Sequence, residues 1–224
     1  GQVAPGQRSD PLRHPLLAPL LSVSVRRILL LAVLLLGAAS AAPAQSVRVE
    51  ATLEASTNKP RVRVFNLFDD EQWKEAIAAS YPIRLNFQLD LWRAQKGWFA
   101  ENLITRKWAF VISRQAVLDV YTLTTVVPGQ EPRIERFASL DDLRMRVELP
   151  VPISGVGPTR TGTFWYSIKL GISTLSANEF NDFQHYLQGS SGGGGGGIAS
   201  TLLRWALPKE SVVAETQRFQ IGGR

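Results

Sequence analysis

Apolar and polar residues alternate through much of the chain after residue 45. In "PIRLNFQLDLW", Ile83, Leu85, Phe87, Leu89 and Leu91 are apolar, and Arg84, Asn86, Gln88 and Asp90 stand between them. A period of two sends successive side chains to opposite faces, so the stretch predicts a strand with one buried and one wet face. "GTFWYSIKLGI" repeats the pattern, with Phe164, Tyr166, Ile168, Leu170 and Ile172 on one side. "RKWAFVIS" and "AVLDVYTLTTV" are rich in β-branched and aromatic residues and predict a hairpin turning at Ser113-Arg114-Gln115. Nearer the start, "VRVEATLEA" and "RVRVFNLF" alternate around a turn at Asn58-Lys59-Pro60, and "SVVAETQRFQI" predicts a final strand.

Three segments carry helical signals. "DDEQWKEAIAAS" opens on acids suited to a helix N-terminus, sets Trp73 and Ile77 one turn apart, and must stop before Pro82. "SLDDLRMRV" has Ser139 three residues before Asp142, close to a capping box, in which the cap and the third helical residue satisfy each other's backbone N–H. "SANEFNDFQHYLQ" has the full Ser176-x-x-Glu179 form, lines up Phe180, Phe183 and Leu187, and meets Gly189 as the residue after its end. The sum is a mainly β domain: an antiparallel β-sandwich or open barrel with a few short covering helices.

Six glycines, Gly192–Gly197, interrupt the C-terminal part. A phosphate loop needs a Lys-Ser/Thr after its glycines, and a dinucleotide loop needs them between a strand and a helix. Neither context is present. A domain linker fails because only 27 residues follow. Those residues include "IASTLLRWAL", apolar on one helical face, with Leu202, Leu203 and Trp205 as core candidates. Residues 189–197 are therefore expected to form a disordered loop inside a single domain spanning 45–224.

The beginning has a different pattern. Arg26 and Arg27 precede Ile28–Ala39, 12 residues without a polar side chain, and Ala42-Pro43-Ala44 follows. A membrane-spanning helix needs about 20 apolar residues. The run fits a secretory signal cleaved after Ala44, with retention as an anchor the alternative. Residues 1–24 read as an upstream extension of the reading frame. The expected location is periplasmic or extracellular.

Composition removes several chemistries. The 224 residues hold no cysteine, so disulfides, thiolate catalysis and lipid attachment through cysteine are out. Four of the 25 basic residues and one of the 19 acidic ones precede Gln45, which leaves 21 and 18, a net of +3. That is too mild to argue for nucleic acid. His185 is the single histidine after residue 45, so no paired-histidine metal motif can form. Asp141-Asp142 and Asp69-Asp70-Glu71 read as helix starts rather than as a carboxylate pair. No catalytic residue, cofactor or metal ligand is expected.

One concentration remains, "DLWRAQKGWFAENLITRKW". Trp92 and Trp108 read as core. Arg93, Lys96, Trp98 and Phe99 cluster in a strand connection around Gly97, and tryptophan with arginine dominates protein contacts. The same mixture suits a membrane surface or sugar stacking.

The stretch from Ile77 to Glu148, with "PIRLNFQLDLWR", "GWFAE", "WAFVISRQAVLDVYTL" and "FASLDDL", resembles the bacterial exported-protein family catalogued as domain of unknown function 4390. The resemblance covers about 40% of residues 45–224. It departs at Tyr81-Pro82, where a glycine is expected, and at the glycine-rich insertion. It implies export and a β-rich domain, and no activity. Two functions are expected: a non-catalytic envelope module that binds a protein partner or envelope component through Arg93, Lys96, Trp98 and Phe99, or a small-ligand carrier or enzyme with a pocket inside the sandwich.

Overall fold

The computed structural model describes residues 46–95, 97, 99–189 and 211–222. The signal-like segment, the glycine run and Leu202, Leu203 and Trp205 lie outside them. The described chain is mainly β, with two open antiparallel sheets rather than a closed barrel. The small sheet joins β1 (Arg48–Leu53), β2 (Pro60–Phe65) and β7 (Val151–Pro152). The large one has seven strands. They are β3 (Ile83–Arg93), β4 (Glu101–Gln115), β5 (Val120–Val126), β6 (Arg133–Phe137), β8 (Gly162–Thr174), β9 (Ser211–Glu215) and β10 (Phe219–Ile221). Their order is β10-β8-β3-β4-β5-β6, and β9 also pairs with β8.

The alternation in β3 sets the architecture. Ile83, Leu85, Phe87, Leu89 and Leu91 are all buried, and they share an inner face with Phe110 and Ile112 of β4 and with Phe164, Tyr166, Ile168 and Leu170 of β8. Val49, Val62 and Val64 of the small sheet close the core from the other side. Each such side chain contributes roughly 1.5–3 kcal/mol. Phe87 lies flat on Trp108, with ring centroids 4.8 Å apart and planes 3° from parallel.

The three helices among the described residues stand where the sequence signals place them. Helix α1 (Glu71–Ala78) starts from Asp70, whose carboxylate accepts from the Gln72 N–H at 3.1 Å. Helix α2 (Leu140–Glu148) starts from Ser139, whose hydroxyl oxygen accepts from the Asp142 N–H at 3.1 Å. Ile77 of α1 and Leu143 and Val147 of α2 join the inter-sheet core. Helix α3 (Ala177–Gly189) packs on the opposite, outer face of the large sheet, through Phe183 and Tyr186 against Val111 and Val126. Its capping box is formed: Glu179 accepts from the Ser176 N–H at 2.8 Å. That bond, the Ser176 hydroxyl and the nearby Arg84 guanidinium hold the Glu179 carboxyl below its usual range.

Four expectations need correction. The β4–β5 turn is Ala116–Asp119, not Ser113–Gln115. Asp119 closes it in the left-handed region at φ 48° and is gripped by Arg114 at 2.7 Å. The turn carries exposed Val117 and Leu118, which read as strand by composition. Helix α3 includes Gly189 instead of ending before it. The final strand is two short strands, interrupted at Thr216–Arg218. Last, the polar side of β3 is not wet, because Asn86 and Asp90 are buried there.

Candidate functional site

The β3–β4 connection leaves the large sheet at Arg93 and returns at Glu101. The Ala94 N–H donates to the Thr163 carbonyl at 2.9 Å, which carries the β8 ladder one residue past the end of β3. Glu101 gathers the two sides of the connection: its carboxylate accepts from Gln95 Nε2 at 2.9 Å and lies 3.9 Å from the Arg93 guanidinium. Arg93 is half-buried and engaged at home. Gly97 has φ +142°, a conformation that residues with a Cβ rarely adopt, so a glycine is required for the chain to reverse here. Phe99 is 83% exposed. Lys96 and Trp98 lie outside the described residues. Of the four side chains expected to act together, the structure thus places Arg93 in an ion pair and Phe99 in the open.

Trp108 is core, as expected. Trp92 is not. It points to the outer face of the sheet, half-buried, and stacks on Trp165 of β8 with centroids 6.4 Å apart and planes 15° from parallel. Arg218 lies over the Trp165 ring at 5.0 Å.

Two register irregularities frame this row. On the β4 side, Leu91 stands opposite Ile104 but Trp92 opposite Asn102, so Leu103 is an extra residue. On the β8 side, Tyr166 makes two bonds with Thr216, one to its backbone and one to its side chain: the Thr216 N–H donates to the Tyr166 carbonyl, and the Tyr166 N–H to Thr216 Oγ1, each at 2.9 Å. Phe219 stands opposite Phe164. Gln217 and Arg218 therefore share the single position facing Trp165. A bulge of this kind bends the strand and redirects a side chain. Here it lays Arg218 on the indole.

The next row holds Asp90, 1% exposed. Its Oδ1 accepts from the Thr105 hydroxyl at 2.6 Å and from Asn102 Nδ2 at 3.3 Å, and its Oδ2 from Gln88 Nε2 at 2.9 Å. No cation pairs with it among the described residues. Burying a carboxyl group without partners is costly, and three hydrogen bonds satisfy this one. What the network provides is order: it locks three polar side chains that a solvent-facing strand would leave loose. Gln88, one row further, is flanked across the strands by Lys107 and Lys169.

Sequence reasoning missed Trp165, Arg218 and the Asp90 network. The signal was present in "PIRLNFQLDLW", since Asp90 and Trp92 are successive members of the polar set, but nothing in one strand announces which neighbour it will meet. The bulge at Gln217–Arg218 has no sequence mark.

Elsewhere several titratable groups serve the scaffold. His185 is exposed on α3. Asp69 forms a two-pronged pair with Arg144 at 2.7 and 2.8 Å. Burial pushes the Tyr166 hydroxyl up to about 12, and that hydroxyl donates to the Val156 carbonyl. No group of three or more His, Asp or Glu side chains converges among the described residues. Between the sheets, Val62, Val64, Val147, Val151, Phe87 and Trp108 line a gap of about 10 Å³, room for roughly one water. Ligand pockets run to about 300–1,000 Å³.

The fold and site define a two-sheet antiparallel β protein with an aromatic, polar surface at one end of its large sheet. No family model, curated protein or solved structure matches the chain.

Proposed function

We propose that this chain is an exported cell-envelope protein that acts by binding a protein partner or envelope component through the β3–β4 end of its large sheet. The observation that carries the reading is Phe99: a large apolar ring, 83% exposed, in the connection between β3 and β4. A ring of that size left in water is suited to burial against something else. Export rests on the apolar run at 28–39 and on Ala42-Pro43-Ala44. No helix among the described residues is long and apolar enough to cross a membrane.

The test is capture from an extract of the producing cell's own envelope by tagged protein beginning at Gln45. Trp98→Ala with Phe99→Ala should abolish capture of the specific partner and lower the melting temperature by no more than a few degrees. A double variant that captures the same material would remove the connection from the site. One that failed to fold would make those aromatics core residues.

A further inference from the structure

The outer face of the large sheet beside the connection is built for more than packing. The two register irregularities fall on either side of one row, Trp92 and Trp165, and that row carries the bulge-directed Arg218. The row behind it is fixed by a buried carboxylate that holds Gln88, Asn102 and Thr105 in place. Behind that stand Lys107, exposed, and Lys169, half-buried. Neither lysine forms an ion pair among the described residues. Rows on one face of a strand are about 7 Å apart, so the surface from the tryptophans to the lysines spans roughly 14 Å.

These features select a ligand chemistry. Trp165 is in contact with both Trp92 and Arg218, whereas among the described residues Trp92 has Trp165 as its one ring partner. A flat ring with apolar C–H groups can complete that stack. The ordered amides and hydroxyl suit a ligand rich in hydroxyls, since pre-set hydrogen-bonding groups spare the ordering cost on binding. The three cations, Arg218, Lys107 and Lys169, favour negative charge spaced along it, while buried Asp90 in the middle opposes a densely charged chain. Sugar rings bearing carboxylates meet every condition.

We propose that this face is a binding subsite for an acidic polysaccharide, with a sugar ring on Trp92, its hydroxyls on Gln88, Asn102 and Thr105, and its carboxylates on Lys107, Lys169 and Arg218. The proposal rests on the reading of the protein as a binding module but uses a surface distinct from Phe99.

Titration calorimetry of protein beginning at Gln45 tests it, with oligogalacturonate as the acidic probe, neutral galactan as the uncharged control, and single-stranded poly(dT) and anionic phospholipid vesicles as the other polyanions. The expected result is saturable binding of oligogalacturonate, at least tenfold tighter than galactan, poly(dT) or vesicles. Trp92→Ala should weaken it tenfold or more. Lys107→Glu with Lys169→Glu, at positions outside the core, should do the same and serves if the tryptophan variant does not fold. Phe99→Ala should bind oligogalacturonate as the unaltered protein does, so this subsite and the partner surface can fail separately. Absence of binding by the folded protein, equal binding of poly(dT) or vesicles, or binding unchanged in the lysine variant would each overturn the proposal.

Discussion

A chain ending at residue 210 should not fold cooperatively. Strands β9 and β10 run along the free edge of β8, in register from Ser211 to Glu215 and again from Phe219 to Ile221. Phe219 is buried against Phe164 and Tyr166, with centroids 5.9 and 5.6 Å away. Loss of a buried Phe side chain alone costs about 3–5 kcal/mol. Truncation also uncovers the β8 ladder and strips Val212 and Ala214 from the core margin. The expected loss exceeds about 5 kcal/mol, against a total near 5–15 for a domain. Urea unfolding followed by circular dichroism reads it directly. A truncated chain within about 1 kcal/mol of the full one would make the C-terminal strands an appendage, and the seven-stranded sheet would not be the folding unit.

The second large effect contrasts two phenylalanines. Phe87 is 3% exposed, flat on Trp108 and edge-on to Phe110 at 5.1 Å. Phe87→Ala should lower stability by about 3–5 kcal/mol, since the rigid ring stack around it can close only part of the space left. Phe99→Ala, at the exposed connection, should change stability by less than about 0.5 kcal/mol. Denaturant midpoints at constant slope would measure both. A loss below about 1 kcal/mol at Phe87 would mean that the aromatic layer between the sheets is not the core.

The large sheet was legible in the sequence where one physical rule acted alone. Period two in β3 and β8 marked every inner residue from Ile83 to Leu91 and from Phe164 to Leu170, because burial of one face is what alternation encodes. Caps at Ser139 and Ser176 were legible because they are local: a side chain and the N–H it accepts lie three residues apart. The β4–β5 turn was not, because Val117 and Leu118 sit at its tip and the device that closes it, Arg114 on Asp119, is indifferent to their hydropathy. Strand β6 carries little alternation in "RIERF", and it is a strand because Tyr121 and its neighbours in β5 offer an edge. The surface around Trp92 was the least legible part. Its members come from β3, β4, β8 and the break before β10, and register alone brings them together. The connection stood out in composition, but Arg93 turned out to be held by Glu101.

The central claim is that the protein meets its partner at the β3–β4 end of the large sheet. A photo-crosslinking phenylalanine analogue at position 99 tests it most directly, with the same analogue at position 117 as control. Val117 is 98% exposed and equally apolar, and it lies at the far end of β4, roughly 50 Å of strand away. Irradiation in the producing cell should give a discrete adduct from position 99 and none from position 117. Adducts from both positions alike, or from 117 alone, would contradict the account.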